Sequence, residues 1–159
     1  MANAGTNPVD RHRILKYTDR VLRLGLAFIF IYASMDKLLH PAEFALIIRD
    51  YRVLPEALVN ITAIILPWLE LILGILLIAG LFLDGALLLV NGLLLTFWVT
   101  LIFNAWRGLD ISCGCFSTSP SSTTYHASWY IMRDGLFVLM GLGAALCLRM
   151  RRRRRSPAS

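Results

Sequence analysis

The sequence predicts an all-α protein, a four-transmembrane-helix bundle with both termini cytoplasmic and a short interfacial helix in the first outward loop. Three observations carry that expectation. The 159-residue chain is 57% hydrophobic and only 16% charged, with a mean hydropathy of +0.65, far from the balance of a water-soluble domain. Its apolar residues gather into stretches at about 21–39, 61–83, 85–106 and 129–148, close to the roughly 20 residues that a hydrocarbon core about 30 Å thick requires. Basic residues stand outside the first and last of these stretches, which sets an orientation.

Arg11, Arg13, Lys16, Arg20 and Arg23 precede the apolar core of the first stretch, and residues 1–20 read as a basic cytoplasmic arm. Only twelve uncharged residues separate Arg23 from Asp36. A full span therefore requires Asp36 and Lys37 to lie inside it near one surface, facing protein rather than lipid. A cleaved signal peptide is the alternative, but IYASMD offers no small-x-small cleavage pattern. The following segment, 41-PAEFALIIRDYRVLPEALVN-60, places Phe44, Ile47, Ile48 and Tyr51 at helical spacing between Pro41 and Pro55. It reads as a short helix in the outer interface, with a plain connector as the alternative.

The second stretch carries Glu70 as its one interior charge. Pro67 has two readings: a first-turn proline leaves Glu70 near the surface, and a kink within a longer helix buries it about 14 Å deep. Leu83-Asp84-Gly85 reads as a tight cytoplasmic turn into the uncharged third stretch. The fourth stretch is charge-free only beyond Arg133 and Asp134, so these two must also face protein. Asn91, Gly74, Gly92 and the series Gly141, Gly143, Ala145 suit close helix packing. Residues 21–148 form the transmembrane domain, and residues 149–159 form an Arg-rich cytoplasmic tail. Membrane lipid explains that tail as an orientation anchor, because it abuts a span; no nucleic-acid partner is expected.

With both termini inside, segments 40–60 and 107–128 face outward, which in a bacterial inner membrane means the periplasm. There disulfides form and persist. The second outward segment contains 113-CGCF-116, two of the three cysteines in the chain. Cys147 stands about 27 Å away along the fourth helix and reads as a small apolar residue.

A disulfide between Cys113 and Cys115 needs a sharp turn, which Gly114 allows. The ring would be strained, and strained exposed disulfides are the labile ones. As a staple it is poor, because closing about three residues removes less than roughly 2 kcal/mol of unfolded-state freedom. A metal site lacks ligands, with only Asp110 and His126 nearby in sequence. The residues therefore favour a redox pair, with a structural clip and a metal site as alternatives. Arg107, His126 and the positive N-terminal end of the fourth helix are the groups that would favour a thiolate.

Lys37, Glu70, Arg133 and Asp134 all fall in the outward half. Buried charges require partners, and opposite signs are available: Asp36 or Glu70 for Lys37, and Glu70 or Asp134 for Arg133. Such a cluster either fixes helix packing or supports chemistry, and the two are compatible.

Taken together, Ser34-Met35-Asp36-Lys37-Leu38, His40-Pro41 with Phe44, Tyr51 with Leu54-Pro55, Leu66-Pro67 with Leu69-Glu70 and Gly74, CGCF, and Arg133-Asp134 resemble the MauE/DoxX-like family of integral membrane proteins, in its MauE branch. The likeness runs from about Leu22 to Leu148, and CGCF before the last helix is its most specific element. Ser117 after CGCF and the Arg-rich tail depart from the family pattern. The resemblance implies a four-helix membrane protein engaged in periplasmic thiol-disulfide exchange, with Cys113 and Cys115 as the working pair. It further implies a thioredoxin-like periplasmic partner and an exported client of the methylamine dehydrogenase kind. No cofactor is required by the sequence; a quinone near Glu70 or Arg133 is the one option it leaves. The rivals are a non-catalytic scaffold with a structural CGC turn and a metal-handling membrane protein.

Overall fold

The computed structural model describes residues 8–52, 54–107 and 127–155. These residues form helices α1 (Pro8–Leu39), α2 (Pro41–Asp50), α3 (Glu56–Ala79), α4 (Leu83–Trp106) and α5 (Ala127–Arg155). There is no strand among the described residues. Among the described residues, three helices are long and apolar enough to cross a membrane: α3, α4 and the Ser128–Arg152 portion of α5. At 32 residues α1 has the length, but charges cluster toward both its ends.

Local chemistry sets the element boundaries. Pro41 opens α2 at a position whose amide has no helical acceptor. The helix ends at Tyr51, after which Arg52 turns into the left-handed region at φ 49°. Pro67 lies inside α3, which selects the interior-kink reading: it offers no amide hydrogen to the Ala63 carbonyl one turn earlier. Gly80 ends α3 with φ 74°, and its N–H donates to the Leu76 carbonyl at 2.9 Å. A glycine there avoids the Cβ strain of the left-handed cap.

That cap corrects one expectation. The connection between the second and third stretches runs through Gly80-Leu81-Phe82, and Leu83, Asp84 and Gly85 belong to the first turn of α4. Asp84 suits that place because a carboxylate is stabilised by the positive end of the helix. Other boundaries also move. α1 starts well before residue 21, α3 starts at Glu56 rather than 61, and α5 continues into the arginine run.

The core is shared by four helices. Leu26, Ala27 and Phe30 of α1 meet Leu73 and Leu77 of α3, Ala86, Leu87 and Val90 of α4, and Ala144 and Leu148 of α5. Small residues bring backbones close at two of these contacts. A Cβ on Gly74 would lie 3.2 Å from the Ala27 carbonyl oxygen and 2.7 Å from Ile31, so α1 and α3 approach over a position that only glycine fills freely. A Cβ on Gly141 would lie 2.5 Å from Asn91 Oδ1. Asn91 Nδ2 donates to the Gly141 carbonyl at 3.1 Å and to the Leu87 carbonyl at 2.7 Å, joining α4 to α5. Gly92 departs from its expected packing role, since a Cβ there would meet nothing within 4 Å.

The outer surface is apolar. Ile64 and Ile65 of α3, Leu88 of α4 and Leu139 of α5 are all more than half exposed. On α1, Val21, Leu24, Phe28, Tyr32, Met35 and Leu39 form an exposed stripe at three- and four-residue spacing, about 27 Å long at the helical rise. Contiguous apolar surface of this extent is what a lipid-facing wall presents and a water-facing one does not.

Candidate functional site

α1 and α5 run in opposite directions, so the C-terminal end of α1 lies beside the N-terminal end of α5. Lys37, in the last turn of α1, is 2% exposed. Its Nζ donates to both carboxylate oxygens of Glu70 on α3, at 2.7 and 2.8 Å. Glu70 is itself 3% exposed. Two rings complete the surroundings of the ammonium, Phe44 of α2 at 5.0 Å and Phe97 of α4 at 5.1 Å. Their electron-rich faces suit a cation. Four helices thus converge on one side chain, and α2 earns its place by supplying one of the rings.

A small cavity of about 40 Å³ lies beside the pair, with Phe30, Ala33, Leu94, Phe137 and the Asp134 side chain on its walls. Asp134 is 6% exposed and accepts from its neighbour Arg133, with Oδ1 2.9 Å from both Nε and Nη2 of the guanidinium. Arg133 also packs over the rings of Tyr130 and Phe137, at 5.2 and 5.9 Å. Of the alternatives open in the sequence, Glu70 takes Lys37 and Asp134 takes Arg133. The cavity brings Lys37, Glu70 and Asp134 to one place. Arg107 is not part of this group: it caps the C-terminal end of α4 and lies 5.4 Å over the Phe103 ring.

The volume beside Glu70 bears on the quinone option. It is far below the roughly 300–1,000 Å³ of a pocket for a drug-sized molecule. A quinone ring does not fit that cavity. Metal ligation is absent among the described residues, which contain no group of three His, Cys, Asp or Glu side chains near enough to share an ion.

Cys113 and Cys115 lie outside the described residues, as do Asp110, His126 and Ser117. The helices that flank them are described. Trp98 Nε1 donates to the Ile131 carbonyl at 3.0 Å, so the end of α4 and the start of α5 stand together at the Lys37 end of the bundle. Arg107 and Ala127, where the described chain stops and resumes, share that end. Cys147 is a free, buried thiol far along α5. It is separated from Ala127 by twenty residues of continuous helix, about 30 Å at the helical rise.

Two polar residues that sequence reasoning passed over are buried. Asp19 is 1% exposed and accepts from Arg151 Nη1, tying the start of α1 to the end of α5. A lone acid within a basic run was the available signal, because its sign complements the distant arginine tail. Asn104 is 1% exposed and donates to the Thr100 carbonyl at 3.0 Å; it has no partner legible in sequence.

Residues 15–148 match the family model described as methylamine utilisation protein MauE. The methylamine utilization protein MauE of Paracoccus denitrificans is 33% identical over 126 residues, covering 79% of this chain and 66% of the relative. Its namesake in Methylorubrum extorquens is 33% identical over 129 residues, covering 80% of this chain and 68% of the relative. The chain thus spans about two thirds of the length of these relatives. No solved structure matches it. A match that takes in α1 through most of α5, with the buried Lys37, Glu70 and Asp134 all inside it, makes this chain a membrane protein of the MauE family.

Proposed function

We propose that the chain is a four-span component of the bacterial inner membrane that exchanges thiols and disulfides on the periplasmic side through Cys113 and Cys115. The observation that supports the reading is that the described chain stops at Arg107 and resumes at Ala127 at the Lys37 end of the bundle, opposite the Asp19–Arg151 end where basic residues accumulate, and Cys113 and Cys115 fall between those two residues in sequence. The positive-inside rule puts the basic end in the cytoplasm, and so puts the CGC segment in the oxidising compartment.

α1 serves as the fourth span in this reading. Its exposed apolar stripe from Val21 to Leu39 faces lipid, while Asp19, Lys37 and the core residues face protein. Its charges lie toward its ends, and the two that are almost fully buried, Asp19 and Lys37, are paired with Arg151 and Glu70.

The exchange runs as follows when the pair reduces a partner. The thiolate of one cysteine attacks a sulfur of the partner's disulfide, forming a mixed disulfide and releasing the partner's other sulfur as a thiolate. The second cysteine attacks the mixed disulfide, closing the Cys113–Cys115 ring and releasing the partner as a dithiol. Two electrons pass to the partner, and the reverse sequence returns them. A thioredoxin-like periplasmic protein fits as that partner, and an exported protein of the methylamine utilisation system fits as the client. The buried Lys37–Glu70 and Arg133–Asp134 pairs act as supports, holding the helix ends from which the CGC segment emerges.

The test is to replace Cys115 with Ser, and separately Cys113 with Ser, and to examine cells on non-reducing gels. One variant should trap a reducible adduct with a thioredoxin-fold protein, and both should lose function in methylamine utilisation. Full function from both variants with no adduct from either would overturn the proposal in favour of a scaffold role.

A further inference from the structure

At the end of the bundle remote from Lys37, a cleft of about 840 Å³ opens among the beginning of α1, the beginning of α4 and the end of α5. Its walls carry Arg13, Lys16, Arg20, Arg23, Arg151 and Arg152 against one carboxylate, that of Asp19. Asp19 holds Arg151, and Arg152 pairs with Asp84 at 2.5 Å. Arg13, Lys16, Arg20 and Arg23 have no carboxylate within ion-pairing distance among the described residues.

A second observation concerns donors. The Nε groups of Arg23 and Arg151 are buried, and neither has a hydrogen-bond partner among the described residues. A buried cationic donor without an acceptor is costly, and four further like charges around one cleft repel one another. An anion with several oxygens relieves both costs at once. Guanidinium groups match phosphate oxygens in pairs, whereas a single small ion would meet only part of so wide a cleft.

The location narrows the ligand. Leu83 and Leu148, the latter at the base of the apolar core, border the same cleft as the arginines. Basic pockets between membrane helices, with apolar surface on one side and cations on the other, suit phospholipid headgroups.

We propose that this cleft is a binding site for an anion bearing two phosphate groups, held by Lys16, Arg20 and Arg23 with Arg151 fixed by Asp19. That chemistry has two sources: the headgroup of a diphosphatidyl phospholipid and a soluble diphosphate. The proposal does not depend on the redox reading, because it uses no residue of the CGC end.

The experiment uses the purified full chain in neutral detergent, titrated with cardiolipin, phosphatidylglycerol, phosphatidylcholine or inorganic pyrophosphate, with thermal midpoint and native mass spectrometry as readouts. Cardiolipin should bind at concentrations at least tenfold below phosphatidylglycerol, and phosphatidylcholine should leave the midpoint unchanged. Pyrophosphate should compete with cardiolipin; tighter binding of pyrophosphate than of cardiolipin would assign the site to the soluble anion. The exposed pair Lys16→Gln/Arg20→Gln should weaken diphosphate binding at least tenfold without altering the unliganded midpoint, and Arg23→Gln should weaken binding by as much while raising the unliganded midpoint. Arg49→Gln, on α2, should change nothing. Equal effects of phosphatidylcholine and cardiolipin, or wild-type affinity in both cleft variants, would overturn the proposal.

Discussion

The Lys37–Glu70 pair gives a prediction whose size follows from its geometry. Both carboxylate oxygens lie within 2.8 Å of Nζ, and both residues are almost fully buried. Unit charges about 4 Å apart attract by roughly 4 kcal/mol at an effective dielectric constant near 20. The rings of Phe44 and Phe97 each add about 0.5–2 kcal/mol to the cation. Replacing Lys37 alone with Met leaves the Glu70 charge buried without its partner, and Glu70→Met leaves the ammonium in the same position. Each single variant should therefore lose about 3–5 kcal/mol. The double variant replaces the pair with two side chains of suitable volume and should lie close to wild type. Reversible unfolding of the purified chain in mixed detergent completes the cycle. With single losses of that size and a double variant near wild type, the cycle should return a coupling energy of about 6–10 kcal/mol. Losses that simply add, with coupling under about 0.5 kcal/mol, would refute the reasoning. The double variant should also retain adduct formation in the Cys→Ser background, because two apolar side chains of suitable volume keep the helices packed.

Other substitutions test the packing. Gly74→Ala should destabilise by about 1–3 kcal/mol, since its Cβ meets the Ala27 carbonyl, whereas Gly92→Ala, with open space around it, should be neutral or stabilise by up to about 1 kcal/mol; equal effects would contradict the assigned helix faces. Gly141→Ala should cost a similar 1–3 kcal/mol by striking Asn91, and adding Asn91→Ala should recover most of it in the same unfolding measurement. Arg52→Gly should raise stability by about 1 kcal/mol, because Arg52 holds φ 49° beyond the end of α2; a loss would show that the arginine side chain contributes more than the strain costs.

How much of this was legible in the sequence varies by element. The helices α3, α4 and α5 follow from apolar length, which bilayer thickness converts directly into a span. α1 was harder, because its charges break the apolar run. Only the folded bundle shows which of them turn inward, and the exposed stripe from Val21 to Leu39 emerges once that face is known. The α3–α4 connection was misplaced by three residues, because Asp84-Gly85 looks like turn chemistry while Gly80 acts as the cap. Charge complementarity offers two partners for Lys37; distance decides for Glu70, and Phe44 stands out in the sequence only by spacing and motif, with no sign that its ring faces Lys37, while Phe97 carries no signal. The link between Asp19 and Arg151 spans most of the chain, and pairing over such a separation becomes visible only when the ends of α1 and α5 are brought side by side. Cys113 and Cys115 stand where sequence left them, recognised by spacing and family and lying outside the described residues.

The central claim, that Cys113 and Cys115 are a working redox pair, is tested most directly by quenching cells in acid and alkylating free thiols in denaturant, which reaches the buried Cys147. The protein is then reduced, alkylated a second time with a heavier reagent, and weighed intact. The account predicts a population in which Cys113 and Cys115 acquire the second label together while Cys147 carries the first, and that population should shift when the periplasmic thioredoxin-like partner is removed. First-label modification of all three cysteines, unchanged by loss of any partner, would contradict it.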